Sequence, residues 1–516
     1  MRSFPGIKFE RGMRVMLALL LMLPALAQAH AKDAVSAPKQ EAPAARAATK
    51  APSLPPRPAL VFDMRSGRVL LAHHAGQRWH PASLTKLMTA WLTMRAVETG
   101  KLRWSDRIGA SRKALLSIPR GAAVYGLKFD EKVTVRDALT FLMVRSDADM
   151  ALALAEAVAG SREAFVRKMN AAARALGMNG THFTNPHGMH HPEQYTTARD
   201  MALLAQAIQR RFLSRHPDWW RFFSLKRVQK GKVRLANRNQ LLFMMPEANG
   251  MKTGFICASG FNLLGTARRG NVLLGAVVFG RRHGHTRASV ARILLEEGFR
   301  RVRAGEGLRR RVVELVNTAA PAVNMKPHVC LKQELRLVKP ADLRGWAVML
   351  PGFRRALYAE EATEAELLAA GLLGAGLPFG AMPELPKADA ADTRVGAPPG
   401  SEGDGAEKKK ARPKKLGWAG LIWALDESRA AQICARVRHH KTDCRLLSPQ
   451  ELRALAPRLD VVMRKMEERR KRLAAQKARR LAAKRRKARL RRLRMKQKRR
   501  VKKRLNVTPA SGRKAH

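Results

Sequence analysis

The chain has 516 residues, 46% of them hydrophobic, enough to bury more than one core; at roughly 100–200 residues per domain it holds two to four folded units. Its 100 Lys and Arg against 40 Asp and Glu give a net charge of +60, which points to an anionic partner or environment and says nothing of fold. Four cysteines exclude a disulfide-dense scaffold, no CxxC or Cys/His metal spacing occurs, and past the amino-terminal segment no apolar run is long enough to span a bilayer.

Residues 1–31 read as an export signal. Arg2, Lys8, Arg11 and Arg14 precede an apolar stretch at 15–26, and Ala27-Gln28-Ala29, or Ala29-His30-Ala31, offers a cleavage site. The apolar run is short for a membrane span, and an uncleaved anchor is the alternative reading. Both readings put the rest of the chain outside the cytosol, in the periplasm or cell envelope, where cysteines can pair. Residues 32–57 form an Ala-, Pro- and Lys-rich linker, and a densely patterned region at 58–303 follows. An accessory region of uncertain fold at 304–385, a second linker at 386–415, a small segment at 416–456 and a basic tail at 457–516 complete the chain, with no internal repeat of fixed period.

In the main region, two short apolar strands at 59–63 and 69–73 flank Arg65-Ser66-Gly67-Arg68, a hairpin signal. Residues 83–99 have helical periodicity and stop at Gly100. Two helices are predicted at 135–144 and 150–159, with a loop between them. Thr197-Ala-Arg-Asp200 caps a third helix at 201–210. Strands are expected at 256–266 and 271–280, joined by a turn at Arg268-Arg269-Gly270, and a closing helix at 288–298. Strands at both ends with helices between predict an α+β fold in which the terminal strands share one sheet.

Three short motifs lie in one order. Ser83-Leu84-Thr85-Lys86 places Ser83 and Lys86 on one helical face, so the lysine can bond the serine hydroxyl. A serine is a weak nucleophile until a neighbouring base takes its proton, and a lysine serves only if burial or a second cation favours its neutral form. A serine at a helix start also aims backbone N–H groups at a developing oxyanion. Ser146-Asp147-Ala148 lies between two predicted helices. Lys252-Thr253-Gly254, followed by Phe255, can grip a carboxylate at a strand edge, with Gly254 letting the backbone approach a ligand.

This order of S-x-x-K, loop serine and K-T-G resembles the penicillin-binding proteins and class A β-lactamases. The likeness extends to Pro81-Ala82-Ser83-Leu84-Thr85-Lys86-Leu87-Met88-Thr89, Thr181-His-Phe-Thr-Asn-Pro-His-Gly188, Thr196-Thr-Ala-Arg-Asp-Met201 and Gly250-Met-Lys-Thr-Gly-Phe255. Over residues 58–300 the chain looks like the low-molecular-weight penicillin-binding proteins, the serine D-alanyl-D-alanine carboxypeptidases of peptidase family S11. The resemblance implies a DD-peptidase/β-lactamase-like catalytic domain, an antiparallel sheet flanked by a helical subdomain; the residues that follow read as a weakly structured carboxy-terminal extension with a basic tail. It implies that Ser83 attacks the penultimate D-alanine carbonyl of a peptidoglycan stem peptide and that Lys86 accepts its proton. Ser146 would pass a proton to the leaving amine. Lys252 and Thr253 would hold the terminal carboxylate, and the N–H groups of Ser83 and Phe255 would form the oxyanion hole. β-Lactams would acylate Ser83, with no metal or organic cofactor. D,D-endopeptidase activity uses the same residues and stays open. A β-lactamase lacks a convincing deacylating glutamate here.

Two departures stand out. The family's loop motif is S-x-N, and Ala148 occupies the asparagine position. That substitution, with the basic excess, motivates a second reading: a catalytically weakened, envelope-binding module. The β-rich domain that many relatives carry next is not expected at 304–385, where 360–373 reads as helical.

His187, His190 and His191 lie in a Pro/Gly loop without a carboxylate or cysteine set, so a cleft edge fits better than a metal site. Cys257 reads as a small buried hydrophobe, and Cys434 and Cys444 either pair or stay free. A strand at 420–424, a helix at 428–439 and a strand at 444–447 make a β-α-β half-unit that faintly resembles a SPOR-type peptidoglycan-binding domain. Residues 458–516 carry 27 Lys and Arg against three acids, an excess of +24, with no apolar face. Anionic lipid headgroups or envelope polymers fit this tail; no nucleic-acid partner is expected for an exported protein.

Overall fold

The computed structural model describes residues 55–331, 337–353, 356–369, 373, 377–383, 418–440 and 443–505. The expected export signal and both linker interiors lie outside them. No helix among the described residues is long and apolar enough to cross a membrane.

The amino-terminal hairpin forms as its turn residues dictate. β1 (Ala59–Asp63) and β2 (Val69–His73) pair antiparallel. The Asp63 carboxylate accepts the N–H groups of Arg65 and Ser66, and Gly67 takes the left-handed conformation at φ 77°. A helical layer follows: α1 (Lys86–Glu98), α2 (Val135–Val144), α3 (Ala148–Ala159), α4 (Arg162–Ala175) and α5 (Ala198–Ile208). The Thr197 hydroxyl caps α5 by accepting the Asp200 N–H at 3.0 Å.

Three long strands come next, β3 (Ala248–Ile256), β4 (Gly260–Arg269) and β5 (Val272–Arg281), then α6 (Gly284–Arg303). The sequence predicts two strands here. The K-T-G segment instead forms its own strand, because the chain reverses at 257–259, inside the strand expected at 256–266. The sheet order β2-β1-β5-β4-β3 joins the terminal strands through β1 and β5, as expected for the α+β fold. Leu60 and Phe62 face the helical layer while Ala59 and Val61 face α6. Both faces are covered, so the strands read as nearly continuous apolar runs.

Residue 303 is not a packing boundary. Val69 donates its N–H to Arg310 and receives that of Leu308, Met325 N donates to Ala258 O, and Cys330 bonds Cys257. Cys257 is therefore half of a disulfide and not the buried free thiol that its strand position predicts. The partner is 73 residues away, beyond any local spacing signal.

The remainder assembles β6 (Trp346–Phe353), α7 (Ala356–Ala369), β7 (Phe379–Pro383), β8 (Trp418–Leu425), α8 (Glu427–His439) and β9 (Arg445–Leu447). Their antiparallel order β7-β8-β6-β9 is that of a β-α-β-β-α-β split unit. The half-unit expected at 416–456 is thus completed by the region at 337–383. Cys434 and Cys444 are bonded. One sheet face packs Val348, Leu350 and Ile422 on Ile433 and Val437 of α8. The other packs Leu421 and Trp423 on Leu452 and Leu459 of α9 (Pro449–Leu505), whose distal part carries the basic tail.

Candidate active site

Ser83 sits not on α1 but in the 3-10 turn Ala82–Thr85 before it, where Ala82 is held at φ 48°. Such a φ is costly for a residue with a Cβ and recurs where a structure over-determines a site. Three close approaches do so here. A Cβ on Gly254 would lie 2.8 Å from the Pro81 carbonyl oxygen and 3.2 Å from the Ser83 nitrogen. Gly188, at φ 80°, lies so near the Ala82 carbonyl that a Cβ there would overlap it. Asn262 Nδ2 donates to the His80 carbonyl at 3.0 Å.

Lys86, the first residue of α1, donates to Ser83 Oγ at 3.1 Å and to the His187 carbonyl at 2.5 Å. It is buried, and burial brings its pKa down from 10.5 to about 7; Asp147 raises it and Arg238 lowers it further. A lysine so poised exchanges a proton with a serine hydroxyl near neutral pH. The histidine loop is thus a scaffold: Thr89 Oγ1 donates to the Pro186 carbonyl at 2.8 Å, and Gln194 Oε1 accepts the Thr184 and Asn185 N–H groups. Burial, then Lys86, holds His187 down at about 3, so its ring is neutral. Among the described residues no group of three or more His, Cys, Asp or Glu is arranged to hold a metal.

Ser146 also has positive φ, 68°, and its buried hydroxyl has no hydrogen-bond partner among the described residues. Ala148 opens α3 and lines the cleft. Asp149 does not face that space: its carboxylate accepts the N–H groups of Tyr125, Gly126 and Leu127 at 2.7–3.0 Å. It thereby holds the loop whose residues Arg120–Ala123 form the cleft's far rim. Burial, then Asp149, raises the Asp147 carboxyl to about 6.

On β3, Lys252 is buried and donates to the Thr253 carbonyl at 3.0 Å, while Thr253, Gly254 and Phe255 line the cleft. Burial, then Lys86, Arg238 and Arg287, pushes the Lys252 pKa well down. The structure brings Ser83, Lys86, Ser146, Thr253, Gly254 and Phe255 to one cleft of about 610 Å³, with Lys252 beside Thr253. It adds two residues that no motif flagged. Arg287 donates to the Asn262 and Arg238 carbonyls, and Arg238 to the Arg145 carbonyl. Neither has a carboxylate within salt-bridge distance among the described residues. An isolated arginine has no sequence signal, and only the fold carries these two to the cleft.

The arrangement sets a serine hydroxyl against a buried lysine in a cleft with several cations, a geometry that can support serine acyl transfer. A profile of the Peptidase_S11 family, D-alanyl-D-alanine carboxypeptidase, matches residues 45–283. D-alanyl-D-alanine carboxypeptidase DacC of Escherichia coli (strain K12) is 35% identical over 261 residues, 50% of this chain and 64% of its own length. DacD of Salmonella typhimurium (strain LT2) is 33% identical over 289 residues, 55% of this chain and 70% of its own. The solved structure of penicillin binding protein 5 from Haemophilus influenzae is 33% identical, over 49% of this chain and 72% of that one, with a TM-score of 0.45. The chain belongs to the D-alanyl-D-alanine carboxypeptidase family. It spans just under two thirds of the length of DacC, and the family match ends at residue 283, before α6 to α9.

Proposed function

We propose that the protein is an exported serine-type D-Ala-D-Ala carboxypeptidase that trims peptidoglycan stem peptides and is acylated by β-lactams. The observation that carries this is the contact of buried Lys86 with Ser83, in a cleft whose Arg287 has no carboxylate within salt-bridge distance among the described residues. Lys86 takes the Ser83 proton as Oγ forms a bond to the penultimate D-alanine carbonyl carbon. The tetrahedral oxyanion lies toward the N–H groups of Ser83 and Phe255. Ser146 passes a proton to the departing D-alanine amine, and water then cleaves the ester. Lys252, Thr253 and Arg287 receive the terminal carboxylate, which repays part of the cost of burying their charge.

Incubation with a labelled penicillin, alongside release of D-alanine from a stem peptide, tests the reading. Labelling with release supports the carboxypeptidase. Labelling without release supports the weakened envelope-binding module, which Ala148 favours. Release from cross-linked dimers alone supports the endopeptidase.

The split β-α-β-β-α-β unit fits a SPOR-like peptidoglycan-binding role, with one condition. Both sheet faces are covered, so a glycan would use an edge or displace α9. The basic end of α9 is proposed to hold the enzyme to anionic headgroups or envelope polymers. Deleting 458–516 should leave soluble-peptide turnover unchanged and weaken sedimentation with anionic vesicles, most at low salt.

A further inference from the structure

The edge of the cleft is built partly by a helix that the family match does not include. Phe255, next to K-T-G, stacks on Phe261 with ring centroids 4.0 Å apart. Phe261 lies 6.0 Å from His283, and the Arg287 guanidinium is 5.8 Å from the Phe261 ring. His283 caps α6, its Nδ1 accepting the His285 N–H at 3.1 Å. The Tyr358 hydroxyl lies 3.3 Å from the same nitrogen, and its ring lies 5.3 Å from the His283 ring. Tyr358 also stacks on His285, at 5.0 Å and 13° between planes. Tyr358 therefore stands at the far end of a ring series whose near end, with Gly284 and Arg287, lines the cleft.

The helix carrying Tyr358 is fastened at the same corner. Arg281 and Arg282, just before His283, are buried. Arg282 donates to Glu360 at 2.6 Å and through its backbone N–H to Glu361 at 2.9 Å. Arg57 donates to Glu361 at 2.9 Å and also bonds Glu364, and Arg281 lies 3.2 Å from Glu364. Sliding α7 would leave buried charges unpaired, so these pairs hold the helix that carries Tyr358 against His283 and His285.

We propose that Tyr358 is a positioning residue of the cleft: through His283 and Phe261 it fixes Phe255 and Arg287, and so sets affinity for the carboxylate end of the substrate. This rests on the carboxypeptidase reading of the same cleft. The split β-α unit then acts on the cleft through this ring series, from behind its rim.

The test uses the full chain and diacetyl-L-Lys-D-Ala-D-Ala. Tyr358→Ala is expected to raise KM about twofold to tenfold, the fold-change of one aromatic pair lost, with kcat nearly unchanged. Tyr358→Phe keeps the stack and should restore most of the affinity. Leu367→Ala, which loosens α7 against its own sheet, should lower Tm and leave KM alone. Should Tyr358→Ala not fold, His285→Ala removes the stacking partner at an exposed position and should raise KM in the same direction. An unchanged KM in Tyr358→Ala, or an equal rise in Leu367→Ala, overturns the proposal. Benzylpenicillin labelling of the wild-type protein separates the two levels. Labelling with an unmoved KM refutes only the role of Tyr358; no labelling refutes the site reading and the inference with it.

Discussion

The cleft and the α6–α7 contact both bury cations, and they do so in opposite ways. At the contact each buried arginine meets a carboxylate: Arg57 and Arg282 share Glu361, and Arg281 lies against Glu364. His440 sits between Glu297 and Glu366 at 3.3 and 2.6 Å. In the cleft buried Lys252 and Arg287 hydrogen-bond only carbonyl oxygens, with exposed Arg238 beside them. Buried charge without a partner is costly, so a fold that keeps several together reserves them for a ligand of the other sign. Paired burial instead fixes how two elements dock.

The largest effect should come from the base. Lys86→Ala is expected to slow penicillin acylation by roughly 10²–10⁴-fold, the usual worth of general base catalysis, while the protein stays folded; stopped-flow acylation rates check this. Wild-type rates would assign the proton transfer elsewhere. The comparison itself is broken most directly by two truncations. Glu361→Ala removes one of the two carboxylates that meet buried Arg57 and buried Arg282, leaving them Glu364 and Glu360, and should cost about 1–3 kcal/mol in denaturant unfolding. Arg287→Ala should leave stability nearly intact and raise KM for the peptide about tenfold or more, as for a lost charge-assisted bond. If Arg287→Ala destabilises as much as Glu361→Ala, the division between the regions fails.

Proton titration sharpens the same contrast. With Lys86 as the proposed base, acylation needs its neutral form, so the rate should rise with pH and level off above about 7. Burial lowers the His440 pKa, but bonds to Glu297 and Glu366 outweigh it and raise it to about 9. A folded-state pKa above the ordinary 6.5 gives stability that is complete below 6.5 and lost as pH rises through about 9. Thermal unfolding followed from pH 6 to 10 should therefore weaken while acylation stays on its plateau.

Much of the catalytic fold was legible in the residues. The hairpin turn, the Thr197 cap and the helix at 135–144 follow from local chemistry, and residues of S-x-x-K, Ser146 and K-T-G line one cleft. What the sequence hid is non-local. Arg238, Arg287, Asp149 and the Cys257–Cys330 bond depend on residues brought together from far along the chain. The split β-α unit went unseen because its two halves are separated by 384–417, and because strands covered on both faces show no alternation.

The smallest effect concerns Ala148. An asparagine there would return one hydrogen bond beside the reacting carbonyl, worth roughly 1 kcal/mol at the low end, so Ala148→Asn should raise stem-peptide turnover about fivefold or more and β-lactam acylation less. Asp149 cannot substitute, since its carboxylate is spent on four backbone amides. A lower or unchanged peptide rate in the folded variant would mean another group already makes that contact.

Intact-mass analysis after benzylpenicillin treatment, with the adduct mapped by proteolysis, tests the central claim most directly. The wild-type protein should gain one penicilloyl group, on the peptide containing Ser83, and Ser83→Ala should gain none. An adduct retained in Ser83→Ala, or mapped to another serine, would contradict the assignment of this cleft as the site of acyl transfer.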